Sequence, residues 1–151
     1  MSILLVEPAR DIATSVLSEL VAQGDEVRIV TVAPEKDWSD LGAHIAKGNG
    51  TDADLLERAG QGARTVVLFD PSGDQAAAAV EAAASARIER LVVCSKKLGE
   101  EVDVVRSSGL SYVFLITGRR ARSAAAAAID WADDLAGDVK LEVDLRRETV
   151  G

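Results

Sequence analysis

Short apolar runs alternate with amphipathic stretches along nearly the whole chain, and this alternation limits the fold more than any single motif. After Ser2, the residues Ile3, Leu4, Leu5 and Val6 are continuously apolar, the pattern of a strand buried on both faces. Residues 11–23 then place Ile12, Val16, Leu17, Leu20 and Val21 on one helical stripe, which Gly24 stops. The same change of period recurs to the end of the chain. Strands are expected at 2–6, 27–32, 43–46, 64–70, 90–95, 111–117 and 139–145. Helices are expected at 11–23, 53–60, 74–86, 100–108 and 121–136, with a connection or short helix at 34–41. Strands of this length separated by helices form βαβ units, and right-handed crossovers turn them into a parallel sheet. The expected architecture is α/β: a doubly wound parallel sheet of about seven strands, helices on both faces, three layers. One domain is expected over 1–145, followed by a flexible tail at 146–151.

Composition narrows the chemistry open to such a domain. Its 151 residues suit a single core. Cys94 is the sole cysteine and His44 the sole histidine, which excludes an internal disulfide, a zinc cluster and most histidine-based catalysis. With 17 basic against 25 acidic side chains the net charge is -8, unsuited to neutralising a nucleic-acid backbone. No run approaches the ~20 apolar residues that cross a bilayer, and residues 3–6 are too few for a secretory signal. A cytoplasmic protein without nucleic-acid or membrane partners is expected.

In doubly wound sheets, ligands bind beyond the carboxyl ends of the strands, where the strand order reverses. Here that crevice is expected between the first strand and the strand at 64–70, with the loops at 7–11, 70–74 and 95–99 around it. Residues 2–13 read S-I-L-L-V-E-P-A-R-D-I-A. Further along stand Gly24-Asp25-Glu26-Val27, Pro34-Glu35-Lys36, Gly42-Ala43-His44-Ile45 and Gly48-Asn49-Gly50-Thr51-Asp52. Arg90-Leu91-Val92-Val93-Cys94-Ser95 and Ser108-Gly109-Leu110-Ser111-Tyr112 complete the series. In this order the phrases resemble the atypical short-chain dehydrogenases/reductases, and most closely the NmrA-like branch, over residues 2–117. The resemblance implies a Rossmann-like, NAD(P)-binding fold.

The departures from that family matter more than the matches. Glu7, Arg10 and Ala13 stand where the family pattern has its three phosphate-loop glycines, and no glycine precedes Gly24. Those glycines permit a tight turn, a close backbone approach to pyrophosphate, and close helix packing. Ala13 can serve the last purpose. Glu7 and Arg10 are expected to put side chains where a dinucleotide would lie, and Pro8 removes a backbone donor. The second strand ends in Thr31, Val32 and Ala33, with neither an acid for a ribose hydroxyl nor a base for a 2′-phosphate. The Tyr-x-x-x-Lys pair that the resemblance implies is also missing, since Ile116 stands four positions after Tyr112.

The expectation is a degenerate pocket with no catalytic residue, no metal and no cofactor, in an interaction, regulatory or scaffold subunit. The alternatives are an NAD(P)- or nucleotide-binding sensor, or an unconventional oxidoreductase of the short-chain type. A retained pocket would use Pro8, Ala9, Arg10, Asp11, Ile12, Asn49, Asp70, Pro71 and Ser95. A response-regulator receiver is a rival resemblance: Glu7 follows an apolar first strand, Asp70 ends the 64–70 strand, and Ser95 ends a later one. That site needs clustered carboxylates for Mg²⁺, and Glu7 is followed by Pro8 instead.

Two surfaces stand outside the crevice. Arg119, Arg120 and Arg122 cluster near a helix start, where positive charge opposes the macrodipole, and form a candidate anion or partner patch. Trp131 lies on an alanine-rich helix and is the expected anchor of a homodimer or protein interface, with Asp130, Asp133 and Asp134 as its expected polar rim.

Overall fold

The computed structural model describes residues 2–119 and 124–148. Its strands are β1 (Ser2–Val6), β2 (Glu26–Thr31), β3 (His44–Lys47), β4 (Thr65–Phe69), β5 (Arg90–Ser95), β6 (Ser111–Ile116) and β7 (Lys140–Asp144). The helices are α1 (Ala13–Ala22), α2 (Lys36–Asp40), α3 (Ala53–Ala59), α4 (Gly73–Ala86), α5 (Glu101–Arg106), α6 (Ala125–Asp134) and α7 (Leu145–Glu148). All seven strands are parallel, in the order β3-β2-β1-β4-β5-β6-β7. The order reverses between β1 and β4, where Leu4 pairs in register with Val66 and Val6 with Leu68. This is the expected doubly wound α/β fold, and its seven strands exceed the five of a receiver. No helix among the described residues is long and apolar enough to cross a membrane.

Each central strand feeds both faces by simple alternation. Ile3 and Leu5 join the core beneath α1 and α6, whereas Leu4 and Val6 join the core beneath α3, α4 and α5. In α1, Val16, Leu17 and Leu20 are fully buried, each stabilising the fold by roughly 1.5–3 kcal/mol. Helix α4 presents Ala76, Ala79, Ala82 and Ala83 to its core, and these short side chains bring its backbone close to the neighbouring layer. It begins with a capping box, Ser72 and Gln75 each bonding the other's backbone N–H.

The structure departs from the sequence reading at several boundaries. Helix α1 begins at Ala13, two residues later than expected, because the Ala9 carbonyl accepts from both Ile12 N (3.1 Å) and Ala13 N (2.8 Å) in a preceding turn. After β7, Leu145 leaves the strand and turns its buried side chain into the core, opening α7. Residues 149–151 of the expected tail lie outside the described residues.

The amino-terminal edge of the sheet is closed by a buried cation. The Arg90 guanidinium donates to the carbonyls of Ala132 (2.8 Å), Leu135 (2.7 Å) and Gly137 (2.7 Å), and its Nε donates to Ser111 Oγ (3.1 Å). It therefore caps the carboxyl end of α6, where positive charge favours the helix dipole. Burial, with Arg64 nearby, pulls its pKa below the usual arginine value. Next to it, Asp133 is buried, accepts from Thr65 Oγ1 at 2.6 Å and lies 3.6 Å from Arg64 Nε. This corrects the reading of Asp133 as rim to a surface tryptophan: it faces inward and ties α6 to β4.

Four acidic residues, Asp25, Asp130, Asp133 and Asp134, gather at this edge. Desolvation raises the Asp25 pKa most, followed by repulsion from Asp133, against weaker lowering by Arg64. Asp130 is raised by desolvation and then by Asp134 and Asp25. A carboxyl whose folded pKa is raised costs stability above that pKa, and the cost disappears as pH falls through it towards the unfolded value. Asp25→Asn and Asp130→Asn should therefore raise the thermal midpoint at pH 7, with a gain that shrinks on acidification; an unchanged midpoint at pH 7 contradicts this account. Arg90→Ala should lower stability by about 3 kcal/mol, since it leaves buried carbonyls unpaired, and urea denaturation at constant slope measures that loss. Ala79→Leu should overpack the α4 face and cost roughly 1–3 kcal/mol in the same assay.

Candidate functional site

Because every strand is parallel, the loops after β1, β4, β5 and β6 meet at one edge, over the β1–β4 reversal. The β1 loop starts with Glu7 at φ 49°, a left-handed conformation costly for a side-chain-bearing residue. Glu7 thus makes the turn that a glycine would make without strain. Its N–H donates to Val30 O at 2.8 Å, so the β1–β2 ladder continues into the turn.

The Glu7 carboxylate lies across the end of β2, accepting from Thr31 Oγ1 (3.2 Å) and from Val32 N (3.2 Å). Gly50, in the loop after β3, makes room for it: a Cβ there would sit 3.0 Å from Val6 Cγ1 and 3.2 Å from Glu7 Cγ. Arg10 is exposed, with its Nε 3.6 Å from Glu35 Oε1 beyond β2. Both side chains that replace loop glycines therefore lean towards β2 rather than across the β1–β4 gap. Pro8 and Ile12 are buried, Ala9 is half-buried, and Asp11 is exposed beside Arg10.

Across the gap, Asp70 also adopts positive φ (44°), and its Oδ1 accepts from Lys96 N at 2.8 Å, tying the β4 loop to the β5 loop. Pro71 is buried behind it. Glu100 reaches back to accept from Gly73 N (2.7 Å) at the start of α4, and the buried Glu101 accepts from Gly99 N (3.0 Å). Sequence reasoning passed over these two acids; the only signal was two adjacent carboxylates at a helix start, a common and unspecific pattern.

Ser95 ends β5 with 1% exposure, and its Oγ is buried without a hydrogen-bond partner. It lines an open cleft of about 420 Å³ together with Pro71, Lys96, Leu98 and Glu101. Lys96 and Lys97 are exposed at its mouth. A buried hydroxyl with no partner costs stability.

Other residues singled out in the sequence lie elsewhere. Asn49 Oδ1 accepts from Thr51 N and Thr51 Oγ1, both at 2.9 Å, so it serves its own turn. Tyr112 packs its ring 5.2 Å from that of Phe114. His44 is exposed on the edge strand β3. Arg119 is exposed in the loop after β6, whereas Arg120 and Arg122 lie outside the described residues. Among the described residues no group of three or more His, Cys, Asp or Glu side chains is placed to hold a metal ion.

No protein-family model matches the chain, and no curated protein matches it either. Solved structures do. A short-chain dehydrogenase/reductase from Veillonella parvula in complex with NADP superposes with a TM-score of 0.78 at 17% identity, over 95% of this chain and 93% of that one. ChuY, an anaerobilin reductase from Escherichia coli, gives 0.75 at 14% identity, over 95% and 96%. Triphenylmethane reductase from a Citrobacter species, complexed with NADP(H), gives 0.69 at 14% identity, over 94% of this chain and 68% of that one. At these identities the likeness is one of fold: the chain has the Rossmann-like architecture of NAD(P)-binding reductases.

Proposed function

We propose that the chain binds a nicotinamide dinucleotide across the β1–β4 reversal and acts as a reductase with an unconventional phosphate loop. The observation that carries this reading is Ser95, a residue of the cleft between the β4 and β5 loops whose buried hydroxyl has no partner. The direction of Glu7 and Arg10, towards β2 and away from the gap, supports it. Dinucleotide folds hold the adenosine ribose with an acid at the end of β2, or a 2′-phosphate with an arginine. Here Glu7 brings a carboxylate to that end from the neighbouring strand, and each of its oxygens keeps lone pairs beyond those used by Thr31 and Val32. The residues fit a ribose diol better than a phosphate at that point.

The diphosphate has the fewest partners. Pro8 has no N–H, and those of Ile12 and Ala13 are committed to Ala9, which leaves the start of α1 and its dipole as the main attraction. When bound, a nicotinamide cofactor supplies hydride. The chain's own part is to hold a substrate carbonyl at Ser95, with Lys96 and Lys97 drawing negatively charged substrates to the cleft mouth.

A non-catalytic scaffold or regulatory role is the second reading, and the structural use of Tyr112 against Phe114 favours it, because no tyrosine–lysine acid is then at hand. Calorimetric titration with NAD⁺, NADH, NADP⁺ and NADPH separates the two. Binding of NAD(H) at about 100 μM, roughly −5.5 kcal/mol, is expected, with NADP(H) weaker. Glu7→Gln should narrow that preference, and Ser95→Ala should leave cofactor affinity unchanged while weakening turnover. Absence of binding by all four dinucleotides would leave only the scaffold reading.

A further inference from the structure

The amino edge of the sheet carries a cleft of its own, on the α4 side and away from the candidate site. It lies where the loop from α3 to β4 faces the loop from α4 to β5. Its volume is about 510 Å³, and Gly62, Ala63, Arg64, Ala86, Arg87 and Glu89 line it. The walls are fixed by backbone contacts. Arg64 O accepts from Glu89 N (3.1 Å) and Arg90 N (3.3 Å), which ties one loop to the other. Gly60 permits this approach, since a Cβ there would stand 2.8 Å from Ile88 Cδ1 and 2.9 Å from Leu56 O. Arg28 Nη1 donates to the carbonyls of Ala59 and Gln61, holding the wall at Gly62 with a further guanidinium. The two arginines that line the cleft are poorly neutralised. Arg64 Nε lies 3.6 Å from Asp133 Oδ1, an oxygen that also accepts from Thr65 Oγ1 at 2.6 Å, and Arg64 Nη2 is buried without a hydrogen-bond partner. Arg87 is exposed, and among the described residues its side chain has no ion pair or hydrogen bond. It also holds φ 59°, the left-handed position that ends α4, where a glycine would carry no strain. Glu89 faces the same cleft yet pairs with neither arginine.

We propose that this cleft binds a small phosphorylated polyol or sugar, its phosphate held between Arg64 and Arg87 and its hydroxyls donating to Glu89. Guanidinium groups suit phosphate because their N–H groups donate in a planar fork to two oxygens at once. Arg64 gives up only a long ion pair and an empty Nη2 position when it turns to the ligand. The Glu89 carboxylate repels a bare dianion but accepts from a hydroxyl, so it selects an ester of a polyol over free phosphate. The carboxyl end of α4 also opposes an anion, but its Ala83 carbonyl is already met by Arg87 N and by Ile88 N at 2.9 Å. The length of β4, Thr65–Phe69, separates this cleft from Asp70 and the crevice at the other edge, so the two sites do not depend on one another.

Calorimetric titration of the full chain with glycerol phosphate and with inorganic phosphate tests this. Glycerol phosphate should bind with a Kd of about 0.5 mM, and inorganic phosphate at least about fivefold more weakly. Arg87→Gly removes the guanidinium and relieves the left-handed strain, so the thermal midpoint should stay near its original value while glycerol phosphate weakens at least about tenfold. Arg87→Lys should recover part of that loss. Glu89→Ala should tighten inorganic phosphate and weaken glycerol phosphate, erasing the preference. Glu7→Gln, at the other edge, should change neither affinity. Absence of binding by both ligands at about 10 mM overturns the proposal. Binding indifferent to Arg87→Gly overturns it by placing the anion elsewhere. Equal affinity for the two ligands overturns the assignment to a polyol or sugar phosphate.

Discussion

Parallel pairing of all seven strands is the constraint on which the remaining architecture depends. A parallel ladder needs a crossover between every pair of strands, so helices must cover both faces and the strands must be apolar on both. It also sends every carboxyl end to one edge and every amino end to the other. The two edges take opposite tasks. The carboxyl edge carries the loops after β1, β4, β5 and β6, with a cleft between the β4 and β5 loops, and the amino edge is sealed by a buried arginine and aspartate.

The sealing of the amino edge steadies the crevice at the other. Arg90 sits at the first position of β5, and Ser95 at its last. By bonding the final carbonyls of α6, Arg90 fixes where that helix ends and where β7 begins. Asp133 adds a second tie, from α6 to Thr65 at the head of β4. The strands that carry Ser95 and Asp70 are thus held from below by polar contacts and along their length by apolar ones. Desolvated carboxyls nearby are the cost of closing that edge with charge.

At the crevice, the loss of glycine did not abolish the turn. Glu7 and Asp70 both accept left-handed backbone at the ends of adjacent strands, and both are fixed by hydrogen bonds to a neighbouring loop or strand. Positive φ at a glutamate costs energy that the surrounding contacts must offset. Gly50 contributes by leaving the space into which Glu7 folds. The glycine requirement has moved from the turn itself to the residue packed against it, which a motif read along one segment does not reveal.

The alternation of apolar runs and helical stripes was sufficient for strand number, helix order and the position of the reversal, because burial on two faces leaves a continuous apolar record in each central strand. The stripe in α1 and the alanines of α4 were legible for the same reason. Outer elements were less so: β7 is exposed on one side and alternates, and the turn into α7 rests on one buried leucine. The direction of Glu7 and Arg10, the inward face of Asp133, the capping by Arg90 and the unpaired Ser95 hydroxyl came only from tertiary structure. All but the last depend on a partner 20 or more residues away, and for a polar side chain such a partner decides whether it faces water or a helix end. Sequence by itself determined the sheet and its covering helices, since apolar burial repeats locally. Tertiary structure decided the site, because polar groups take their roles from neighbours that the chain brings together only on folding.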